Sequence, residues 1–421
     1  MTLEQRVRPR AADVFTSRAL IPATGHGVLD GWDVAVKDNI DVAGLPTTGG
    51  TRFLSENVAT ADAKVVASLR AAGATIVGKT NLHELGHGIT GVNPTFGTTL
   101  HPENPDYTVG GSSGGSALAV MLRYARVALG TDTGGSARIP AAYTGLVGFR
   151  PSTGRYPASG VIRISPSRDT VGVLGRSVAD VALVDRVLGS VPAAPSLSAA
   201  SQSPVLGVLE EACESLTPAR RALFEEAMSR IAATGVEVMR LSEQRELDRC
   251  FELGIVVLAY ETIPAIKDYL GAAHGADAVQ ALIEVSESPD TREILRAALD
   301  EPVSPDEYRS ARAELAAMHE RFVSALGRSR VTTLVYPTTT GEPPKALTLS
   351  QDEAEAQLRA VVLNSTPATL LATPAISLPA GVSEETGIAA GITLERAAGN
   401  DADLLRDATL VEEILAGDRL G

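Results

Sequence analysis

Apolar residues change their period several times along this chain. Between Trp32 and Val42 they gather into short runs, Val34-Ala35-Val36 and then Ile40 and Val42, separated by Asp38-Asn39; over 31–44 this reads as a strand pair or a strand and turn. Over 61–72 the spacing becomes helical, with Val65, Val66, Leu69 and Ala72 apolar, and Gly73 follows where a helix end favours positive φ. Ala74-Thr75-Ile76-Val77 predicts a short buried strand, Ser113 to Arg123 a buried helix, and Val127-Ala128-Leu129 a central strand leading into Gly130. Short strands alternating with helices predict an α/β protein.

The middle of the chain differs. Residues 191–203 are rich in Ser, Ala and Pro and read as a surface loop. From Pro218 to about Arg328 the pattern is mostly helical and carries many charges. Strand patterns return at Thr332 to Pro337, Ala375 to Pro379 and Gly391 to Glu395, and 402–416 form a last amphipathic helix. No internal repeat interrupts this order. The expectation is one domain over 1–421, with a core at 28–187, a mainly helical insertion at 191–330 that shapes a pocket, and 331–416 returning to the core sheet.

The 421 residues are 44% apolar, ample for a large buried core. A net charge of −14 without a basic stripe argues against a nucleic-acid partner and serves solubility. Cys213 and Cys250 form no CxxC pair, which fits a reducing cytosol. Arg6, Arg8 and Arg10 are followed by no apolar signal region, and runs such as Ile255 to Ala259 are too short for a membrane span. A cytoplasmic protein with no membrane partner is expected.

Two glycine-rich turns bring in chemistry. One reads Gly110-Gly111-Ser112-Ser113-Gly114-Gly115-Ser116, the other Gly130-Thr131-Asp132-Thr133-Gly134-Gly135-Ser136-Ala137-Arg138-Ile139-Pro140, and upstream Lys37 sits in the apolar run Val34-Ala35-Val36. Singly, each has a plainer meaning: Gly and Ser make turns, lysines face water, and a serine can cap a helix. Jointly they can run acyl transfer without histidine. A serine hydroxyl needs a base to take its proton. Burial disfavours the ammonium, so a lysine in such a strand can be that base.

Three short motifs compete. Gly73 to Thr80 satisfies G-x-x-x-x-G-K-[ST], but a helix precedes it and Thr75-Ile76-Val77 suits a strand better than a phosphate loop. His83-Glu84-Leu85-Gly86-His87 satisfies H-E-x-x-H, yet Gly86 and Gly88 weaken a helix there, and His101 as third ligand lacks metzincin spacing. The plainer expectation is one solvent-facing and one pocket-facing histidine. Gly110 to Gly114 fits G-x-S-x-G, but the later histidines, His274 and His319, lie in charged helical stretches rather than loops.

The whole set resembles the amidase signature family of serine hydrolases. The likeness rests on Ala35-Val36-Lys37-Asp38-Asn39-Ile40, Gly78-Lys79-Thr80-Asn81, the two glycine-rich turns, Gly145 to Pro151 and Asp169-Thr170-Val171-Gly172. It runs from about Val28 to Val187 and resumes from about Val331 to Ala416. The resemblance implies a central mixed twisted β-sheet covered by helices on both faces. It implies Ser136 as nucleophile, Ser112 as a bridging serine preceded by a cis peptide, and Lys37 as general base. The backbone N–H groups of Thr133, Gly134, Gly135 and Ser136 would form the oxyanion hole, with no metal and no cofactor.

Asp132 is expected to hold the loop or Arg138 by a charge-assisted hydrogen bond. Arg138 is expected to brace the turn, the alternative being a substrate carboxylate; Ser113 would support the Ser112 turn, and Ser167 and Asp169 would lie behind it. Asn81 to Leu85, Gly88-Ile89-Thr90, Gly154 to Pro157 and Ser165 to Thr170 look most like the indoleacetamide and mandelamide hydrolases, implying a small or aryl primary amide as the small-molecule substrate. His87 departs from them and leaves room for a urea-type or dicarboxylic amide. Expected pocket residues are His87, Tyr143, Tyr260 and Tyr336. The alternative is the amidase subunit of a tRNA-dependent amidotransferase; a homodimer is compatible with either reading.

Overall fold

The computed structural model describes residues 11–189, 203–271, 274–346 and 351–417. The loop expected at 191–203 therefore lies outside the described residues, except for its last position.

Eleven strands form one mixed sheet among the described residues: β1 Phe15–Ile21, β2 Asp33–Lys37, β3 Thr75–Thr80, β4 Val127–Asp132, β5 Val147–Arg150, β6 Thr170–Gly175, β7 Val205–Leu209, β8 Glu237–Leu241, β9 Thr333–Pro337, β10 Ala375–Val382 and β11 Ala389–Glu395. Their order across the sheet is β1-β3-β2-β4-β6-β5-β10-β11-β9-β7-β8. β2 runs parallel to both β3 and β4, while β6, β5, β10, β11 and β9 follow in antiparallel steps. β4 and β6 are buried at every position, which is why β4 opens as the apolar run Val127-Ala128-Leu129 rather than alternating.

Helices cover both faces. Val34, Val36, Val127 and Leu129 point into a core shared with the helices Lys64–Ala71, Val178–Leu188, Pro218–Ala233 and Asp401–Ala416. Ala35 and Ala128, one residue out of phase, point into a second core with the helix Gly114–Met121. Because β2 and β4 are parallel neighbours in the register Val36↔Leu129, their C-terminal residues Lys37 and Asp132 reach the same edge of the sheet. That edge carries the site.

Of the two readings of 31–44, the strand and turn is the one that forms: β2 ends at Lys37, Ile40 N–H closes a turn onto Lys37 O, and Ile40 makes a single bridge to Val161. The largely helical middle also contributes β7 and β8, which extend the sheet beyond β9 in parallel. β8 has five residues, only one of them in the buried class, so it lacks the alternation that marks a strand in sequence. Among the described residues the other main elements of that segment are the helices Pro218–Ala233, Leu247–Leu270, Ala278–Val285, Pro289–Asp300 and Pro305–Leu326.

Candidate active site

Lys37 is the last residue of β2 and is fully buried. Its Nζ lies 2.8 Å from Ser112 Oγ and 2.8 Å from Thr131 Oγ1. Burial pushes its pKa down to about 7, against a weaker upward pull from the charges of Asp132 and Asp169. Asn39 fixes the hydroxyl on the far side: its Nδ2 donates to Thr131 Oγ1 at 3.2 Å and to Ile162 O at 3.3 Å. The Gly111–Ser112 peptide is cis. The turn is anchored by His83 N–H donating to Ser112 O, and by Ser113 N–H donating to Ser136 O at 3.1 Å, which ties the two glycine-rich turns together. Ser113 Oγ lies 3.3 Å from both the N and the O of Thr131.

Ser136 opens onto a cleft of about 390 Å³. Among the described residues its Oγ makes no hydrogen bond, so contact with Ser112 Oγ requires a side-chain rotation. The N–H groups of Thr133, Gly134 and Ser136 are likewise unpaired among the described residues. Gly135 is different from the expected oxyanion donor: its N–H is committed to Asp132 Oδ1 at 3.0 Å. Its φ of +106° and the 2.6 Å that would separate a Cβ from Ser365 Cβ explain why only glycine fits there.

Asp132 knots the turn together. Arg138 donates to it through Nε and a terminal nitrogen, each at 3.0 Å, and Ala137 N–H donates at 3.3 Å. Arg150 donates to its backbone O at 2.6 Å. Burial alone would raise the Asp132 pKa, but the guanidinium groups of Arg138 and Arg150 hold it well below the usual carboxylate range. Arg138 is fully buried and spends its remaining contact on Ser365 O, so it faces Asp132 rather than the cleft. Asp169 accepts from Thr133 Oγ1 and from the N–H groups of Ile164 and Ser165. Ser167 N–H donates to Glu261.

The cleft is mainly aliphatic, with Ile89, Ile164, Ile255, Leu258, Ile294 and Val362 among its lining. Of the four expected pocket residues only His87 lines it. Tyr143 is buried with its hydroxyl on Gly341 O, Tyr336 is buried with its hydroxyl on Glu395, and Tyr260 stacks on Tyr308 at 4.1 Å. A buried phenol seeks a hydrogen-bond partner, and these partners lie away from the cleft. Arg168 and Thr131 are two site residues that composition and motif did not single out. Arg168 lines the cleft and donates to Thr133 O and Gly254 O, each at 2.9 Å, tying the turn to the helical wall.

The competing motifs have other partners. Lys79, at the end of Gly73 to Thr80, is on β3 and pairs with Asp38 at 2.7 Å. The histidines of His83 to His87 do not converge. His83 lies 3.1 Å from Asp290 and His87 3.4 Å from Thr262. Both are buried, which corrects the expectation of one solvent-facing ring: the segment is a short 3-10 turn folded against Ser112, where a Cβ on Gly86 would sit 3.7 Å from Ser112 Oγ. His101 points to Tyr143 O and His274 to Leu270 O.

Comparison with known proteins identifies the family. The amidase family model matches residues 3–405. Mandelamide hydrolase of Pseudomonas putida is 34% identical over 92% of this chain and 79% of its own. Indoleacetamide hydrolase of Pseudomonas savastanoi is 32% identical over 91% and 84%. The A subunit of glutamyl-tRNA(Gln) amidotransferase from Thermus thermophilus is 34% identical over 92% and 85%. A crystal structure described as an amidase superposes with a TM-score of 0.79 at 33% identity, covering 94% of this chain and 86% of that one. The chain belongs to the amidase family. It is an amidase, an enzyme that hydrolyses amide C–N bonds. Among the described residues no helix is long and apolar enough to cross a membrane.

Proposed function

We propose that this amidase cleaves a primary amide of an apolar, aryl or small, carboxylic acid through an acyl-enzyme on Ser136. The observation that carries the reading is Lys37: a fully buried amine whose hydrogen-bond partners are two hydroxyls and no carboxylate. With a pKa of about 7, roughly half of it is neutral at pH 7. Ser136 Oγ gives its proton to Ser112 Oγ, which passes its own to Lys37 Nζ, while the Oγ–C bond forms and the carbonyl oxygen becomes an oxyanion. The free N–H groups of Thr133, Gly134 and Ser136 are the donors for that charge, each worth roughly 3 kcal/mol in such a setting. The relay then returns a proton to the leaving nitrogen as the C–N bond breaks and ammonia departs. Water repeats the attack on the ester and frees the acid.

The aliphatic cleft supports an uncharged, apolar acyl group. The likeness to a component of an amidotransferase supports a second reading, in which glutamine supplies ammonia inside a complex. Rapid-mixing assays on aryl-acid amides and glutamine separate the two. A burst of ammonia with aryl amides, together with phosphonate labelling of Ser136, is expected. Turnover of glutamine alone, and only with a partner protein, would replace the first reading by the second.

A further inference from the structure

Among the described residues His87 is the one imidazole on the cleft, and its hydrogen bonds do not add up. Its Nδ1 lies 3.2 Å from Leu85 O, which can only accept, so Nδ1 carries a proton. Its Nε2 lies 3.4 Å from Thr262 Oγ1. That hydroxyl is itself 3.1 Å from Ile164 O, another pure acceptor, so its proton is spent there. A neutral ring brings one N–H and the threonine one O–H, two protons for three contacts. The contact left without a proton is the longest, between Nε2 and Thr262 Oγ1. Protonating the ring would repair it, but burial, outweighing the Leu85 carbonyl, lowers the His87 pKa to about 4. At neutral pH Nε2 therefore keeps an unanswered lone pair, on a ring that lines the mostly aliphatic cleft holding Ser136.

We infer that His87 is a specificity residue whose Nε2 accepts a hydrogen bond from an O–H or N–H on the acyl part of the substrate. Resting on the proposed amidase reading, this narrows the substrate class to apolar primary amides that carry one hydrogen-bond donor besides the amide. Such a donor supplies the missing proton, whereas an analogue without it leaves a buried acceptor unpaired, the costlier case. A carboxylate on the acyl group would face that lone pair and be disfavoured.

Matched pairs test this: 2-hydroxy-2-phenylacetamide against 2-phenylacetamide, and indole-3-acetamide against its N1-methyl derivative. The intact enzyme should favour the donor-bearing member of at least one pair by about tenfold in kcat/KM, mostly through KM, the size of one hydrogen bond. His87→Phe should erase the ratio. His87→Gln, which can place a carbonyl oxygen there, should keep part of it. Equal kcat/KM within both pairs, an unchanged ratio in His87→Phe, or a preference for a carboxylated analogue would overturn the inference. The same pairs are titrated by calorimetry onto the Ser136→Ala protein. Donor preference there without hydrolysis by the intact chain would sink the amidase mechanism and leave His87 its role; hydrolysis with no preference would do the reverse.

Discussion

The two sides of the cleft are built by opposite means. The floor, at the ends of β2 and β4, is polar and cross-tied: Lys37, Ser112, Thr131, Asp132 and Arg138 are all nine-tenths buried or more, and each holds a named partner at hydrogen-bond distance. The wall, from the helices Leu247–Leu270, Pro289–Asp300 and Gln351–Val362, offers Ile255, Leu258, Ile294 and Val362, none of which carries a polar side-chain atom. Directional bonds hold reacting atoms to fractions of an ångström, whereas dispersion and water exclusion tolerate repacking. The floor should therefore set kcat and the wall KM.

Within the floor itself, two lysines sharpen the point. Lys37 and Lys79 lie on adjacent strands, in the register Lys37↔Thr80, and both are fully buried. Lys79 Nζ has the carboxylate of Asp38 at 2.7 Å, with Thr47 and Pro46 O each at 3.0 Å. Lys37 has hydroxyls only. Lys79 is tied to Asp38 and to the 46–47 turn, whereas burial without a carboxylate partner lowers the pKa of Lys37 to about 7, as its proposed role as base requires.

The largest effect expected is on the proposed nucleophile. Ser136→Ala should lower kcat on the order of 10⁶-fold, as removal of a hydrolase serine does, with the denaturation midpoint unchanged. Residual turnover within about tenfold of the parent would exclude Ser136 as the attacking group. Lys37→Met should come close to the same loss, and Ser136→Ala with Lys37→Met should be no worse than either alone, because the proposed relay would act as a unit. The pH profile is the complementary test. The base must be neutral, so kcat/KM should climb about tenfold per pH unit below the pKa and level off as pH rises through about 7. A profile that falls with rising pH across that window would remove Lys37 as the base.

Next in size is a stability effect on the floor. Asp132→Asn strips the only carboxylate bound to Arg138 among the described residues, and weakens the hold on Arg150. Leaving buried cations without their anion typically costs about 3–5 kcal/mol. Urea denaturation should show that loss, and ammonia release should fall with it as the turn of Gly134 and Gly135 loosens. Parent-like stability would mean the knot is not what holds the floor.

The same contrast explains what could be read in the chain. The floor is local: Gly110 to Ser116 and Gly130 to Pro140 are backbone devices that need particular residues in a row, and β2 and β4 read as apolar runs because they are buried on both faces. Thr131 stood within such a run, yet its contact with Lys37 appears only through the pairing Val36↔Leu129, which no local pattern encodes. The wall is not local at all. Which positions of a long helix meet water in a cleft depends on what packs behind it, so aliphatic residues there look like ordinary core. Tyr143 and Tyr336 misled for the related reason that a buried aromatic residue answers first to its own hydroxyl's partner, and Tyr260 because its ring packs on Tyr308.

The smallest expected effect tests the wall. Leu258→Ala removes side-chain carbons that line the cleft beside Ser136 and carry no hydrogen bond to the floor. Loss of a methylene-scale contact in an apolar pocket costs about 1–3 kcal/mol, and the partly exposed position of Leu258 puts it near the low end. KM for aryl amides should rise about tenfold while kcat stays within about twofold, and the penalty should shrink for amides with short acyl chains that never reach the wall. Initial rates over a series of acyl lengths would show this directly. A fall in kcat at constant KM, equal across the series, would mean that the helix carrying Leu258 aligns the scissile carbonyl. The link would then be Arg168, which bonds Gly254 O on that helix and Thr133 O on the turn, and floor and wall would act as one mechanical unit.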